Sequence, residues 1–500
     1  MTGSRPSQTG AAVLVLLLVA SSLLGASVAA TDAGATTPRQ DAASPGQQRP
    51  GFVGTAFADG MHVRYVLSPA DPDEGRVRVR AEFRLSAAVS RVAIRVPESA
   101  TVVDVDGFVP DEDGEYDYEW DGSVRTSVTY ETSATRFANG GVESIATDEW
   151  SFLYEPAVGL ASVDWWYYPP RPPSSRTLAL GDGVEGYAGD EVAVFGDVDV
   201  TESTHDGHTY RVVRSAAAGD GRSAETVMAL LTAADESFPV GDRGASTTVV
   251  VPPDEVRTGG LATVRRGSDR EFWAHGSTAV FAHEVVHVRQ SFRLATDDEG
   301  RSMRWLLEGM AEYHAAVVEV RAGRITRDEF RDHVTTDRHA DAVLTDRSTW
   351  QSPGAQYEKG RRVVAALDAE IRAATDGERS FVDVWRRLNE HEGPVDYDDF
   401  AHIVGTVAER DMTDWLDRYV DGDEAPAVGE RPAGLFSAPD AAALAVDAAG
   451  PTVEGETSPA PAASPSRLDA GGAWQARPYA PHAVVVVLSV AGLGVLLVVD

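Results

Sequence analysis

Residues 282–287 read Ala-His-Glu-Val-Val-His, and this stretch decides how the surrounding chain is interpreted. His283 and His287 are four residues apart, so in a helix both imidazoles point to the same side. Two such imidazoles can bind one Zn²⁺, and Glu284 between them is placed to accept a proton from a water that the metal activates. The alternative is a solvated helix with two surface histidines. We expect the helix to begin at Ser277 or Thr278, either of which can cap it.

A second helix is predicted from Arg304 to Arg321, and it carries two carboxylates one turn apart. Glu308 can supply the third metal ligand and so complete a His₂Glu site with an open position. Glu312 can accept the second ring N–H of a ligand histidine; the alternative for it is a surface carboxylate near arginines. His275 and His314 fit no ligand position, and we interpret them as ordinary polar residues.

The composition excludes several other classes of protein. A formal net charge of −34 argues against nucleic acid as a partner, because phosphate binding needs clustered basic residues. The chain has no cysteine, so any metal must be held by histidine and carboxylate. Lys359 is the only lysine, and abundant Asp and Glu with so little Lys favour a halophilic source over an ordinary acidic secreted protein.

The N-terminus has the pattern of a secretory signal peptide over residues 1–30. An apolar run from Ala11 to Leu24 precedes the small residues Ser27 to Ala30, a typical cleavage site. An uncleaved N-terminal anchor is the alternative. Residues 31–50 are rich in Thr, Ala, Pro, Gln and Gly, which predicts a flexible spacer.

Residues 51–205 have a dominant period of two, which predicts a β-sandwich domain. The run Arg76 to Leu85 alternates polar and apolar residues, as a half-buried antiparallel strand does. Near the end of this domain, Trp165 to Pro170 form an aromatic cluster. We expect it to pack at a domain interface; a platform for substrate is the alternative.

Residues 206–425 change to a helical pattern with a few strands, so the fold class is α+β with a mostly helical second domain. Residues 426–481 lack any period and are rich in Ala, Pro and Gly, which predicts a disordered stalk. Residues 483–499 carry no charge over a length just sufficient to span a bilayer as one helix. With the N-terminal signal, this predicts a single-pass membrane protein with its bulk outside the cell.

The residues around the zinc motif resemble the gluzincin peptidases. More narrowly, they are similar to the large zinc aminopeptidase family and the related glycyl aminopeptidase family. The three ordered motifs that carry the resemblance are His283 to His287, Trp305 to Gly309, and Tyr357 to Gly360. The resemblance covers roughly residues 240–425 and implies a thermolysin-like catalytic domain.

In those families the Glu of the second motif is the third metal ligand, here Glu308, and the Tyr of the third stabilises the transition state. Tyr357 would then donate its hydroxyl proton to the developing oxyanion. One departure from the family pattern affects the expected activity. The families bind the substrate's free amino group through a Glu in an upstream Gly-rich segment, and the matching position here is Ala262. A methyl group cannot hold an ammonium ion, which favours an endopeptidase over a strict aminopeptidase.

We therefore predict a membrane-anchored extracellular zinc metallopeptidase that acts on a peptide or protein substrate. The alternative from another class is a catalytically inactive binding or cell-envelope protein built on a peptidase fold. The intact set of five residues, His283, Glu284, His287, Glu308 and Tyr357, favours the enzyme.

Overall fold

The structure is a computed structural model that describes residues 60–428 with eight short gaps. The gaps are 72–73, 139–140, 155–157, 220–222, 242–243, 257–258, 264–268 and 297–300. Beyond this range it gives the backbone of three strand segments, Thr36–Gln40, Val486–Val490 and Leu493–Leu497. The predicted signal peptide and residues 429–481 of the predicted stalk lie outside the described residues.

The N-terminal part of the described chain is built from strands. They are β1 (Thr36–Gln40), β2 (Met61–Asp71), β3 (Arg76–Leu85), β4 (Val89–Arg95), β5 (Thr101–Asp106), β6 (Phe108–Pro110), β7 (Tyr118–Trp120), β8 (Ser127–Ser133), β9 (Arg136–Ala138), β10 (Gly141–Ala146), β11 (Ser151–Tyr154), β12 (Ser162–Tyr167), β13 (Ser174–Leu180), β14 (Gly186–Ala188) and β15 (Val192–Phe195). They form three five-stranded sheets with the orders β13-β2-β3-β8-β5, β1-β12-β4-β7-β6 and β14-β15-β11-β10-β9. Strand β1 lies within the predicted spacer and pairs parallel with β12.

The first two sheets share one apolar core, to which alternate residues of each strand contribute. In β3, Val77 and Val79 are fully buried while Arg78 and Arg80 are exposed. The strand predicted from Arg76 to Leu85 is confirmed with the same bounds. Trp165 in β12 is also buried in this core.

The third sheet joins the sandwich to the rest of the molecule, because its central strands β11 and β15 are buried on both faces. Leu153 and Ala193 face the sandwich core. Phe152 and Val194, which alternate with them, pack in a second cluster with Trp273 of the following domain. Because successive side chains of a strand point to opposite faces, β11 and β15 each contact both domains.

The second domain begins with a sheet of five strands in the order β16-β17-β18-β20-β19. Their bounds are β16 (Val198–His205), β17 (His208–Ser215), β18 (Ser246–Val251), β19 (Gly259–Thr263) and β20 (Arg270–His275). Strands β17, β18 and β20 are parallel, and the two edge strands run antiparallel to their neighbours. β16 and β17 form a hairpin across Asp206 and Gly207, both at positive φ as a two-residue turn requires. The hairpin spans residue 205, where the sequence predicted the domain boundary, so β16 belongs to the sheet of the second domain.

Eight helices of the described chain complete this domain. They are α1 (Ala224–Ser237), α2 (Thr278–Arg289), α3 (Arg304–Arg321), α4 (Arg327–Val334), α5 (Gly354–Ala374), α6 (Phe381–Glu390), α7 (Tyr397–Ala408) and α8 (Thr413–Tyr419). Their apolar faces pack with the sheet in one large core. The fold is therefore an N-terminal β-rich domain followed by a mostly helical domain, as the sequence predicted.

A buried carboxylate fastens the N-terminal domain to β20, the strand that leads into α2. Glu271 accepts backbone N–H groups of Asp190, Glu191 and Val192 at 2.9–3.1 Å, and it accepts the hydroxyl of Tyr187 at 2.9 Å. Several such hydrogen bonds compensate for burying a carboxylate. The turn between β14 and β15 is thereby held against the sheet that positions the zinc motif.

The C-terminal segment differs from its prediction. The chain divides into two compact units, Met1–Leu444 and Ala445–Asp500. Instead of one membrane helix over 483–499, the second unit contains the antiparallel strands β23 (Val486–Val490) and β24 (Leu493–Leu497), which fits the strand preference of their valines. β21 (Arg293–Leu294) and β22 (Pro394–Val395) are a short pair in the first unit. Among the described residues, no helix is long and apolar enough to cross a membrane.

Candidate metal centre

The two histidines of the zinc motif lie on the inner face of α2. Because they are one turn apart, both rings point the same way, and their Nε2 atoms are 2.9 Å from each other. His287 is buried, and the side chain of His283 is 12% exposed. Ser277 is the N-cap of the helix by backbone geometry but makes no side-chain capping bond.

Glu308 lies on α3 and points between the two rings. Its Oε2 atom is 3.3 Å from Nε2 of His283 and 3.4 Å from Nε2 of His287. Within the part of the chain that the structure describes, these three residues are the one group of histidines and carboxylates spaced to hold a metal ion. The structure thus brings together the three ligands predicted from the sequence.

A close helix crossing places Glu308 near Tyr357. Helices α3 and α5 approach each other at Gly309 and Gly360, where a Cβ on Gly309 would lie 2.7 Å from the carbonyl carbon of Gly360. Two glycines at one crossing point let the backbones approach more closely than any side chain would allow. The glycines that end the second and third motifs therefore have a packing role.

The outer ring nitrogens of both histidines face acceptors. Nδ1 of His287 is 2.7 Å from Oε1 of Gln290, and Nδ1 of His283 is 3.1 Å from Oε1 of Glu312. Only the His287 contact has hydrogen-bond geometry, since Nδ1 of His283 is close to Glu312 but not aligned with it. A neutral ring with its proton on Nδ1 has its Nε2 lone pair free. With both rings in that tautomer, the two Nε2 lone pairs and Oε2 of Glu308 face one point. A cation at this point stabilises the three groups, which repel one another without it.

The spacing of these atoms fits zinc. Tetrahedral bonds of about 2.0–2.1 Å separate ligand atoms by about 3.3–3.4 Å. Two of the three observed separations are 3.3 and 3.4 Å, and the third is shorter, 2.9 Å. Charge fits as well, because the buried carboxylates Glu284 and Glu308 need compensation that a divalent cation supplies.

The surrounding charges shift the pKa values of Glu308 and His283 toward their charged forms. Burial opposes charge on both, but the histidines lower the pKa of Glu308, and hydrogen bonds and charge from Glu308 and Glu312 raise the pKa of His283. Glu312 itself accepts N–H of Arg361 at 2.9 Å, and His333 lies 3.6 Å from the same oxygen. The carboxylates of Glu308 and Glu312 therefore favour positive charge at and beside His283.

Glu284 is buried between α2 and the edge strand β19. A Cβ on Gly260 would lie 2.5 Å from Cγ of Glu284, so glycine at this position leaves room for the carboxylate. Burial raises the pKa of Glu284, although the nearby histidines and the backbone N–H of Ala262 act in the opposite direction. A carboxylate with a raised pKa beside a metal site is suited to accept and return a proton.

Tyr357 lies in the first turn of α5, with its ring centroid 6.1 Å from that of His283. Burial, together with the charges of Glu308, Glu284 and Glu312, raises the pKa of its phenol. At neutral pH the hydroxyl therefore keeps its proton and can donate it. Lys359 points away from the centre and donates to the carbonyls of Ala342 and Gly422.

Ala262 occupies the middle of β19, where the resemblance implies an amine-binding carboxylate. Its side chain is buried, and its backbone N–H contacts Glu284. β19 is the last strand of its sheet and pairs only with β20 among the described strands. β19, from Gly259 to Thr263, thus lies along the edge of the site.

The remaining polar and aromatic candidates lie outside the centre. His314 is a core residue whose ring packs on Phe238 and Trp385, and burial lowers its pKa to about 4. His275 lies 3.5 Å from Asp254 and away from the ligands. Trp165 and Trp166 are both buried, which fits packing rather than a substrate platform. Sequence reasoning missed Gln290 and Arg361, although Gln290 follows the motif by only three residues.

Neither a family model nor a curated protein matches this sequence. Among solved structures, the chain is similar to an aminopeptidase N family protein from Idiomarina loihiensis, with a TM-score of 0.54 and 14% identity over 73% of this chain and 77% of that one. An M1 zinc metallopeptidase variant from Deinococcus radiodurans, bound to a Tyr-Ser-Ala substrate, has a TM-score of 0.47 and 15% identity over 74% and 96%. Legionella pneumophila aminopeptidase A in complex with aspartic acid has a TM-score of 0.41 and 14% identity over 73% and 49%. The first similarity confirms, at the level of the fold, the resemblance to large zinc aminopeptidases.

Proposed function

We propose that this chain is a zinc-dependent metallopeptidase that hydrolyses peptide bonds. The observation that carries the proposal is the convergence of the donor atoms of His283, His287 and Glu308 at the spacing of a tetrahedral zinc site. Glu284 and Tyr357 lie on different elements around this point. A solvated helix with two surface histidines would not bury this set.

Glu284, Tyr357 and Glu312 have separate roles in the proposed reaction. When bound, zinc supplies a Lewis acid that acidifies water and polarises the scissile carbonyl. Glu284 accepts the proton of the attacking water and delivers it to the leaving amine nitrogen. Tyr357 donates its O–H to the carbonyl oxygen as negative charge develops there. Glu312 lies 3.1 Å from Nδ1 of His283, and its charge favours a proton on that nitrogen.

The absence of a carboxylate at Ala262 supports an endopeptidase over a strict aminopeptidase. Among the described strands β19 has a neighbour on one side only, so an extended peptide can pair along its other edge, which requires no free amino terminus. Comparing one peptide with a free and an acetylated amino terminus tests this preference. Cleavage of the free form alone would contradict it.

The proposed function is tested with the full-length chain by zinc analysis and peptide hydrolysis. We expect one zinc per chain, lost in Glu308→Ala because a ligand is removed. Glu284→Gln should keep zinc but lower kcat by about 10²–10⁴-fold, since the proton acceptor is gone. The control is Glu236→Gln, the same change at an exposed position near the end of α1.

Two results would contradict the enzyme. A wild-type chain without stoichiometric zinc would favour the inactive, binding alternative. A Glu284→Gln variant as active as Glu236→Gln would mean that another group accepts the proton. We also infer an extracellular location from the apolar run at Ala11 to Leu24. The membrane tether at 483–499 stays a prediction, to be tested by fractionating cells that express the chain with and without it.

A further inference from the structure

Gln290 is a fully buried amide at the C-cap of α2, three residues after His287. Its Oε1 lies 2.7 Å from Nδ1 of His287. Its Nε2 donates to the backbone carbonyl of Leu307 at 2.9 Å. Leu307 immediately precedes Glu308, so a single side chain contacts both ligand-bearing helices.

The hydrogen bonds fix which way the amide points. The carbonyl oxygen of Leu307 can only accept, so the NH₂ group of Gln290 must face it. Oε1 of Gln290 then faces the imidazole and can only accept, so Nδ1 of His287 must carry the proton. In the neutral ring, the Nε2 lone pair of His287 is then directed toward Glu308 and His283, the other two candidate ligands.

The turn that carries Gln290 is held independently of the imidazole. The side-chain amide of Asn389 donates to the carbonyl of Arg289 and accepts the backbone N–H of Ser291, both at 2.9 Å. The backbone N–H of Gln290 donates to the carbonyl of His287 at 3.1 Å. These bonds hold the backbone on either side of Gln290, whereas the direction of its amide is set by the bonds to His287 and Leu307.

We propose that Gln290 is a positioning residue that fixes the tautomer of His287 and the separation of His287 from Glu308, and thereby strengthens zinc binding. The inference rests on the proposed function, because it assumes that the centre holds zinc. The competing interpretation is a buried glutamine that only satisfies its own polar groups. The two differ in whether loss of the amide weakens zinc binding or only lowers fold stability.

The test compares Gln290→Met with Asn389→Ala in the full-length chain. Methionine keeps the length and the flexibility of glutamine but makes neither hydrogen bond. We expect Gln290→Met to raise the zinc dissociation constant, measured against a competing chelator, by about 10–100-fold. Asn389→Ala removes hydrogen bonds on either side of the same residue without touching the imidazole, so it should lower the unfolding temperature and leave the zinc dissociation constant near that of wild type.

The visible absorption of the cobalt(II)-loaded chain gives a second readout, since it reports the ligand field. It should change in Gln290→Met and not in Asn389→Ala. If both variants weaken zinc binding equally, or if Gln290→Met binds zinc as wild type does, the inference is overturned. If wild type itself binds no zinc, the proposed function fails. If wild type binds zinc and Gln290→Met binds it equally well, only the inference about Gln290 fails.

A measurement on wild type covers the case in which Gln290→Met does not fold. In the metal-free chain labelled with ¹⁵N-histidine, the neutral His287 ring should show its proton on Nδ1, protected from exchange by Gln290. A ring protonated on Nε2, or an Nδ1–H that exchanges as fast as that of an exposed histidine, would overturn the inference.

Discussion

The crossing of α3 and α5 gives the sharpest prediction, because it fixes the distance between a ligand and Tyr357. In Gly309→Ala, the new Cβ would lie 2.7 Å from the Gly360 carbonyl carbon, while ordinary contacts begin at 3.4 Å. Helix α5 must therefore retreat by roughly 0.7 Å, the difference between 3.4 and 2.7 Å. The obstacle is backbone, so no rotamer change relieves it.

Two opposing terms act on the stability of this variant. Alanine in a helix interior gains about 1 kcal/mol over glycine, and overpacking costs about 1–3 kcal/mol. The net change in the free energy of unfolding is therefore small or moderately unfavourable. Catalysis is more sensitive, because displacing reacting groups by about 1 Å lowers rates by roughly 10²-fold. We expect kcat/KM to fall by somewhat less than that, in proportion to the smaller shift.

The assay is kcat/KM on the peptide that wild type cleaves fastest, together with thermal unfolding. Gly360→Ala is the graded comparison, since its Cβ meets Gly309 Cα at 3.1 Å and should cost less activity. Gly405→Ala in α7 is the control, with a backbone contact at 3.2 Å away from the site. A Gly309→Ala variant with wild-type kcat/KM would refute the claim that close contact of these helices sets the geometry.

Two further predictions concern buried charges. Arg361→Ala removes the cation 2.9 Å from Glu312, so zinc affinity should fall by about 10-fold, measured by chelator competition with Arg362→Ala as the neighbouring control. An unchanged affinity would mean that Glu312 needs no partner. Burial lowers the pKa of Lys359 to about 8, against about 10.4 when unfolded, so between these values the unfolded chain holds a proton that the folded chain has lost. The free energy of unfolding of wild type, relative to Lys359→Met, should therefore rise with pH over that window in urea titrations; a flat difference would contradict it.

Local patterns predicted the elements with strong periodicity. The strand from Arg76 to Leu85 and the helix from Arg304 to Arg321 have the predicted bounds, because alternation or helical spacing of apolar residues runs through each. The strand β20 was not predicted. All six of its residues are buried, so polar and apolar residues do not alternate along it. It also contains Arg270 and Glu271, so it is not the continuous apolar run expected of a buried strand.

Long-range contacts explain the other differences. β16 pairs with β17 and so belongs to the sheet of the second domain. Its sequence has the same strand pattern as the preceding domain, to which the sequence assigned it. The apolar run at 483–499 satisfies the length of a membrane helix, but its valines also favour strands, and composition alone does not decide between the two.

Sequence by itself identified the three candidate metal ligands, because helical geometry puts His283 and His287 on one side and the resemblance of the second motif implies Glu308. Only the tertiary structure decided how these ligands are held. Gln290 and Arg361 act through contacts between helices that are distant in the chain, and Gly309 meets Gly360 across 51 positions. No periodicity records such contacts, since a hydrogen bond or a close backbone approach depends on where two helices cross and not on the residues beside each one.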